Sequence, residues 1–255
     1  LNVRGNDIPH VPVVLSFLVI GKEDAMWFVE ENALSDAVKE MAAESGITIR
    51  PYEDVYAYAA TIPENSTVLL DKRKVNYRIT NALSETVHIV SKANPSQLMK
   101  SIKNEIELEN TRKAHLLDGI AVTKFMYWLK KNVGKIPMDE VSVSDYLQSL
   151  REQMEGYRDI SFDTIAGYNA NAAMMHYKAE PDTAAKLEPQ GMLLVDSGGH
   201  YDTGTTDITR TIALGEVTDE MKKCYTLTLK GMLNLANTRF LHGCTGYNLD
   251  IMPRA

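Results

Sequence analysis

Two aspartates, Asp196 and Asp207, lie eleven positions apart in the run MLLVDSGGHYDTGTTDITRT, from Met192 to Thr211. Each borders a β-type run, and glycine, aspartate and threonine fill most of the space between them. Two carboxylates on strands that fold back on each other suit a pair of divalent cations. Such a pair carries four positive charges, which anionic oxygens neutralise at close range. Ions held ~3.5–4 Å apart also depress the pKa of a shared water, so that hydroxide becomes available near neutral pH. The geometry depends on the turn. A turn centred between residues 201 and 202 sets Asp196 directly opposite Asp207, with Cβ atoms ~4.5–5.5 Å apart. A turn at Asp202–Thr203–Gly204 offsets them by about three positions, and a bulge at Gly198–Gly199 changes that offset. Aspartate is also a common turn residue, and spacing alone does not separate the two roles. His176, upstream, is either a hydrogen-bond donor at a developing charge or a packed or surface histidine.

The elements that must position these residues are legible in outline. Val13 to Ile20 reads as an apolar strand and Met26 to Val29 as its partner, joined by a turn over Gly21–Asp24. Ser35 opens a helix through Glu44, with Gly46 as its stop. Strands follow at Ile47–Ile49, Thr67–Leu70 and Thr86–Val90. Asn94–Pro95–Ser96–Gln97 is a helix start, with Asn as cap, Pro in the first turn and Gln three beyond the cap. From there to Val133 the apolar spacing is helical, as one long helix or two with a break near Lys103–Asn104. Gly134–Pro137 ends it, and Ser142 or Ser144 caps a further helix through Met154. Strands at Thr164–Tyr168, Leu193–Val195 and Asp207–Leu214 precede a helix from Thr218 to Asn237. The division expected is an α/β domain over 1–95 and a second, α+β domain over 96–255.

The chain has 255 residues, 44% of them apolar, enough to bury a sizeable core. With 27 Lys and Arg against 34 Asp and Glu, its formal charge is −7. Acidity without a basic block argues against nucleic acid as a partner. No run reaches the ~18 apolar residues of a membrane span, and the start is no signal peptide. Cys224 and Cys244 read as reduced thiols, and the location expected is cytoplasmic.

DSGGHYDTGTTDITRT, Asp196 to Thr211, resembles the signature of the Xaa-Pro aminopeptidases (aminopeptidase P), members of the pita-bread metallopeptidases with prolidase, methionine aminopeptidase and creatinase. NANAAMMHY, Asn169 to Tyr177, resembles the family's N-x-A-x-x-H-Y segment. KNEIELENTRKAH, Lys103 to His115, resembles the helix that opens the catalytic domain. LNVRGNDIPHVPV, Leu1 to Val13, resembles the entry to the second domain of the three-domain cytosolic type. The resemblance implies a creatinase N-terminal-like α/β domain followed by part of a pita-bread α+β catalytic domain. It implies that Asp196 and Asp207 are ligands to two divalent metal ions, often manganese, and that His176 contacts substrate near the scissile bond. Thr205, Thr206, Thr209 and Arg210 would steady the carboxylates or pack against them.

The implied activity is metal-dependent release of the N-terminal residue from peptides with proline in second position. The family completes its site with a histidine in an H-G-T-G-H-G segment and two later glutamates, and none of these is in the chain. His242 reads as a loop residue, and Glu216 and Glu220 lack the expected context. The expectation is therefore a middle piece of a larger enzyme with little activity alone, and a homodimer for the whole. Two alternatives stand beside it. One is a non-catalytic pita-bread module that binds peptide or protein. The other is a prolidase- or creatinase-type hydrolase.

Overall fold

The computed structural model describes residues 3–254, so the first two residues of LNVRGNDIPHVPV lie outside the described residues. The chain forms two compact units, residues 1–109 and 110–255.

In the first unit β1 (Ser16–Ile20) and β2 (Ala25–Val29) form an antiparallel hairpin, its turn closed by Gly21 N–H donating to Asp24 O at 2.8 Å. Trp27, Phe28 and Val29 of β2 are each only 1% exposed, so the central strand supplies the core of this layer. Helix α1 (Asp36–Glu44) follows Ser35 and stops at Gly46, whose φ of +69° is open to glycine at little cost. It carries the chain to β3 (Ile47–Pro51), which pairs parallel with β2. After α2 (Asp54–Ala60), a second parallel pair, β4 (Thr67–Leu70) and β5 (His88–Ser91), is linked through α3 (Tyr77–Ala82). Asn94 caps α4 (Pro95–Ser101) by accepting from Ser96 N–H at 3.0 Å. The Gln97 side chain does not turn back to the cap; it accepts from Lys74 Nζ at 3.2 Å.

Two helices, not one, run on from Asn94. After α4, Asn104 accepts from Glu107 N–H at 2.9 Å while Glu107 accepts from Asn104 N–H at 2.8 Å. This reciprocal cap starts α5 (Glu105–Asn132) afresh.

In the second unit α6 (Glu140–Glu152) is capped by Asp139, not by Ser142 or Ser144. Ser142 is the other half of that cap: its N–H donates to Asp139 at 2.7 Å and its Oγ accepts from Asp139 N–H at 2.9 Å. The strands are β6 (Tyr157–Ile160), β7 (Ile165–Tyr168), β8 (Met192–Ser197), β9 (Gly199–Tyr201), β10 (Gly204–Thr205) and β11 (Ile208–Ala213). They form two three-stranded sheets, ordered β11-β8-β7 and β10-β9-β6. Phe125 and Leu129 of α5, Val143 and Leu147 of α6, and Leu193, Val195 and Ile212 of the first of these sheets make one core. Helices α7 (Asp219–Ala236), α8 (Gly246–Leu249) and α9 (Ile251–Arg254) complete the unit. No helix among the described residues is long and apolar enough to cross a membrane.

Candidate metal centre

The hairpin that carries the two aspartates turns at Asp202–Thr203, because Tyr201 pairs with Gly204 and His200 with Thr205. The same register runs on into the β8–β11 pair, where Ile208 faces Ser197 and Thr209 faces Asp196. Asp207 therefore does not stand directly opposite Asp196. It lies two positions before Thr209, just outside β11 in the gap between the two sheets. Thr206 N–H donates to Gly199 O at 2.9 Å, which keeps the backbone paired through the gap between the two sheets.

The supporting residues divide into two groups. Thr209 Oγ1 donates to Asp196 Oδ1 at 2.7 Å and so fixes one carboxylate oxygen. Arg210 donates to the Thr209 carbonyl at 2.7 Å and meets neither aspartate. Thr206 is 1% exposed; its Oγ1 accepts from Gly199 N–H at 2.9 Å, and its carbonyl accepts from Ser161 Oγ at 2.9 Å. Thr205 Oγ1 meets His200 Nδ1 at 2.9 Å. These last two threonines hold the hairpin closed and do not touch the carboxylates. His176 is exposed, in a turn closed by Tyr177 N–H donating to Met174 O at 3.2 Å.

The donor chemistry fits a divalent cation in part. Asp196 and Asp207 offer anionic oxygens, and among the described residues neither is in an ion pair. Among the described residues no group of three or more His, Cys, Asp or Glu converges as a metal site. Asp196 and Asp207 are two carboxylates only, and the described residues gather no such group around them.

Three buried charged residues escaped the sequence reading. Arg151 and Asp118 are 0% exposed and pair through Nε–Oδ1 at 2.6 Å and Nη2–Oδ2 at 3.2 Å. Arg151 Nη2 also donates to Ser197 Oγ at 3.1 Å, and Tyr201 OH donates to Asp118 Oδ1 at 2.9 Å. The pair therefore holds both ends of the Ser197–Tyr201 stretch that follows Asp196. Burial, then the neighbouring Asp118, pushes the Tyr201 hydroxyl well above its ordinary pKa; burial likewise pushes Tyr157 up to about 12. The third is Glu140, also 0% exposed. A signal for all three was present. Asp118 is in phase with buried Ala114, Ala121 and Phe125, and Glu140 and Arg151 are in phase with Val143 and Leu147. A charge on an apolar stripe must find a buried partner.

Comparison with known proteins gives this geometry a context. Residues 1–107 match the Creatinase/Prolidase N-terminal domain, and residues 109–254 match Metallopeptidase family M24. Proteins named probable Xaa-Pro aminopeptidase P from Neurospora crassa and Sordaria macrospora are each 36% identical over 264 residues, covering 99% of this chain. The chain spans 39% and 43% of their lengths, about two fifths. The X-prolyl aminopeptidase of Caenorhabditis elegans, described as a cytosolic enzyme with a di-nuclear active site, superposes with a TM-score of 0.88 at 31% identity. It covers 98% of this chain and 42% of its own. The X-Pro aminopeptidase of Thermotoga maritima shares the fold, with a TM-score of 0.68 at 22% identity over 94% of this chain and 65% of its own. The architecture is a creatinase N-terminal-type α/β domain followed by pita-bread structure, and the chain belongs to metallopeptidase family M24.

Proposed function

We propose that this chain supplies the aspartate half of the dinuclear centre of an Xaa-Pro aminopeptidase, which releases the N-terminal residue from peptides with proline second. The observation that carries the reading is the β8–β11 register. It pairs Asp196 with Thr209, two residues beyond Asp207, and neither aspartate has a competing ion pair among the described residues. Two divalent ions, when bound, would supply an activated water and polarise the scissile carbonyl. The chain's own residues do the rest. Asp196 and Asp207 would hold the ions, Thr209 fixes the orientation of Asp196, and His176 would donate to the substrate near the scissile bond. Thr205 and Thr206 brace the hairpin through His200 and Gly199, and that bracing would steady the two carboxylates for the ions.

The same reading carries manganese as the metal, the cytoplasm as location and a homodimer as the assembly. Two carboxylates leave most of a dinuclear coordination sphere unfilled, so residues 1–255 on their own should cleave poorly.

The test is hydrolysis of Xaa-Pro peptides by the native protein that contains this chain, with and without chelator. Cleavage should need metal, and Asp207→Asn should reduce it to background. Unimpaired hydrolysis by that variant removes the mechanism. Absence of metal binding at either aspartate would favour a peptide-binding module instead.

A further inference from the structure

Glu140 has a setting unlike that of any other acid in the chain. It is the first residue of α6 and is 0% exposed, yet no Lys, Arg or His pairs with it among the described residues. Four neutral donors satisfy it instead. Oε1 accepts from Tyr168 N–H at 2.7 Å and from Asn171 Nδ2 at 3.0 Å. Oε2 accepts from Tyr177 OH at 2.7 Å, from Ala185 N–H at 2.8 Å and from Asn171 Nδ2 at 3.2 Å. Asn171 Nδ2 also lies 3.1 Å from Tyr177 OH, so the two donors brace each other.

These donors bracket the turn that carries His176. Asn171 precedes it and Tyr177 ends it. The backbone repeats the pattern, with Met174 N–H donating to Asn171 O and Tyr177 N–H to Met174 O, both at 3.2 Å. The turn itself is open: Met174 is 50% exposed, Met175 is 75% exposed, and His176 is exposed. An open turn with few apolar contacts is ordinarily mobile. This one stands on two side chains anchored to a buried carboxylate. The third donor, Tyr168 N–H, belongs to β7, whose Ile165 pairs with Asp196 itself. One carboxylate thus refers the histidine turn and the aspartate strand to a common point.

We propose that Glu140 is a positioning residue, which through Asn171 and Tyr177 holds the His176 turn in register with the sheet that carries Asp196. Its role in turnover rests on the reading of His176 as a substrate contact. Its role as an anchor does not.

The test has two arms, both on the native protein. In the first, hydrogen exchange is measured in Tyr177→Phe, with Asn171→Ala as a second variant should the first not fold. The amides of residues 174–177 should exchange about tenfold faster or more, with α6 and β8 unchanged. Unchanged exchange at those amides overturns the anchor. In the second, kcat/KM for an Xaa-Pro peptide should fall about 10- to 100-fold in Tyr177→Phe. The same substitution should cost little more in a His176→Ala background, since the contact it positions is already gone. A merely structural role gives losses that multiply, and that result, or wild-type kinetics in Tyr177→Phe, overturns the positioning role. Lys178→Ala, which removes only the exposed pair with Asp163, should retain wild-type kinetics. If the wild-type protein cleaves no Xaa-Pro peptide, the peptidase reading fails, and with it the turnover role. The exchange arm still decides the anchor.

Discussion

At the scale of single residues, Gly198 leaves no room for a side chain beside the segment that leads into Asp207. A Cβ at this position would come within 2.0 Å of the Thr206 carbonyl oxygen and 2.3 Å of Ser161 Oγ. The carbonyl belongs to the facing segment, which cannot withdraw without disturbing the register that pairs Thr209 with Asp196. Gly198→Ala should therefore destabilise the protein by about 1–3 kcal/mol, the usual range for forced overpacking. Denaturant midpoints check that figure. The same variant should bind divalent metal more weakly than wild type in a titration, because the two carboxylates no longer keep their spacing. Unaltered metal affinity would show that the register is not what aligns them.

At the scale of elements, the buried Asp118–Arg151 pair ties α5 and α6 to the end of β8 and to β9 through Ser197 and Tyr201. A buried ion pair adds little net stability over an apolar replacement, but losing one partner strands the other charge. Asp118→Ala should cost about 3–5 kcal/mol, whereas replacing both residues with apolar ones of similar volume should cost far less. Urea denaturation of the single and double variants checks the difference. Equal losses in the two would mean that the pair acts through packing alone. The charge pair thus serves geometry: it fixes where β8 ends, one residue beyond Asp196.

At the scale of the whole molecule, three tyrosines set the alkaline limit. Burial pushes Tyr157 up to about 12, and the hydrogen bond to Glu140 does the same for Tyr177; Tyr201 is raised further by burial and Asp118. An unfolded tyrosine ionises near ~10. Because the folded values lie higher, the stabilisation from these neutral hydroxyls is complete below pH ~10 and is lost as pH rises through about 12. Melting temperature should accordingly fall across that window, while absorbance shows these tyrosines ionising late. Tyr157 offers a control, since its hydroxyl is buried without a partner. Tyr157→Phe should flatten the alkaline decline and cost little at neutral pH.

The longer helices and strands and the helix boundaries at Ser35, Gly46, Asn94 and Thr218 were legible in the chain, because apolar period and capping chemistry are local properties; the short strands β6, β9 and β10 were not. So were the residue types of the candidate centre. Local pattern left the hairpin register ambiguous. Only pairing through Asp202–Thr203 put Thr209, and not Asp207, opposite Asp196. Local pattern also credited Ser142 with a cap that it shares from the far side of Asp139, and it passed over Asp118, Glu140 and Arg151. A buried charge is intelligible only through its partners, and these come from 28 to 83 residues away along the chain for the bonds Glu140–Tyr168 and Asp118–Tyr201. Sequence by itself determined which groups can do chemistry here. The tertiary structure decided which residues face them and what holds them there, because pairing between remote residues is a property of packing.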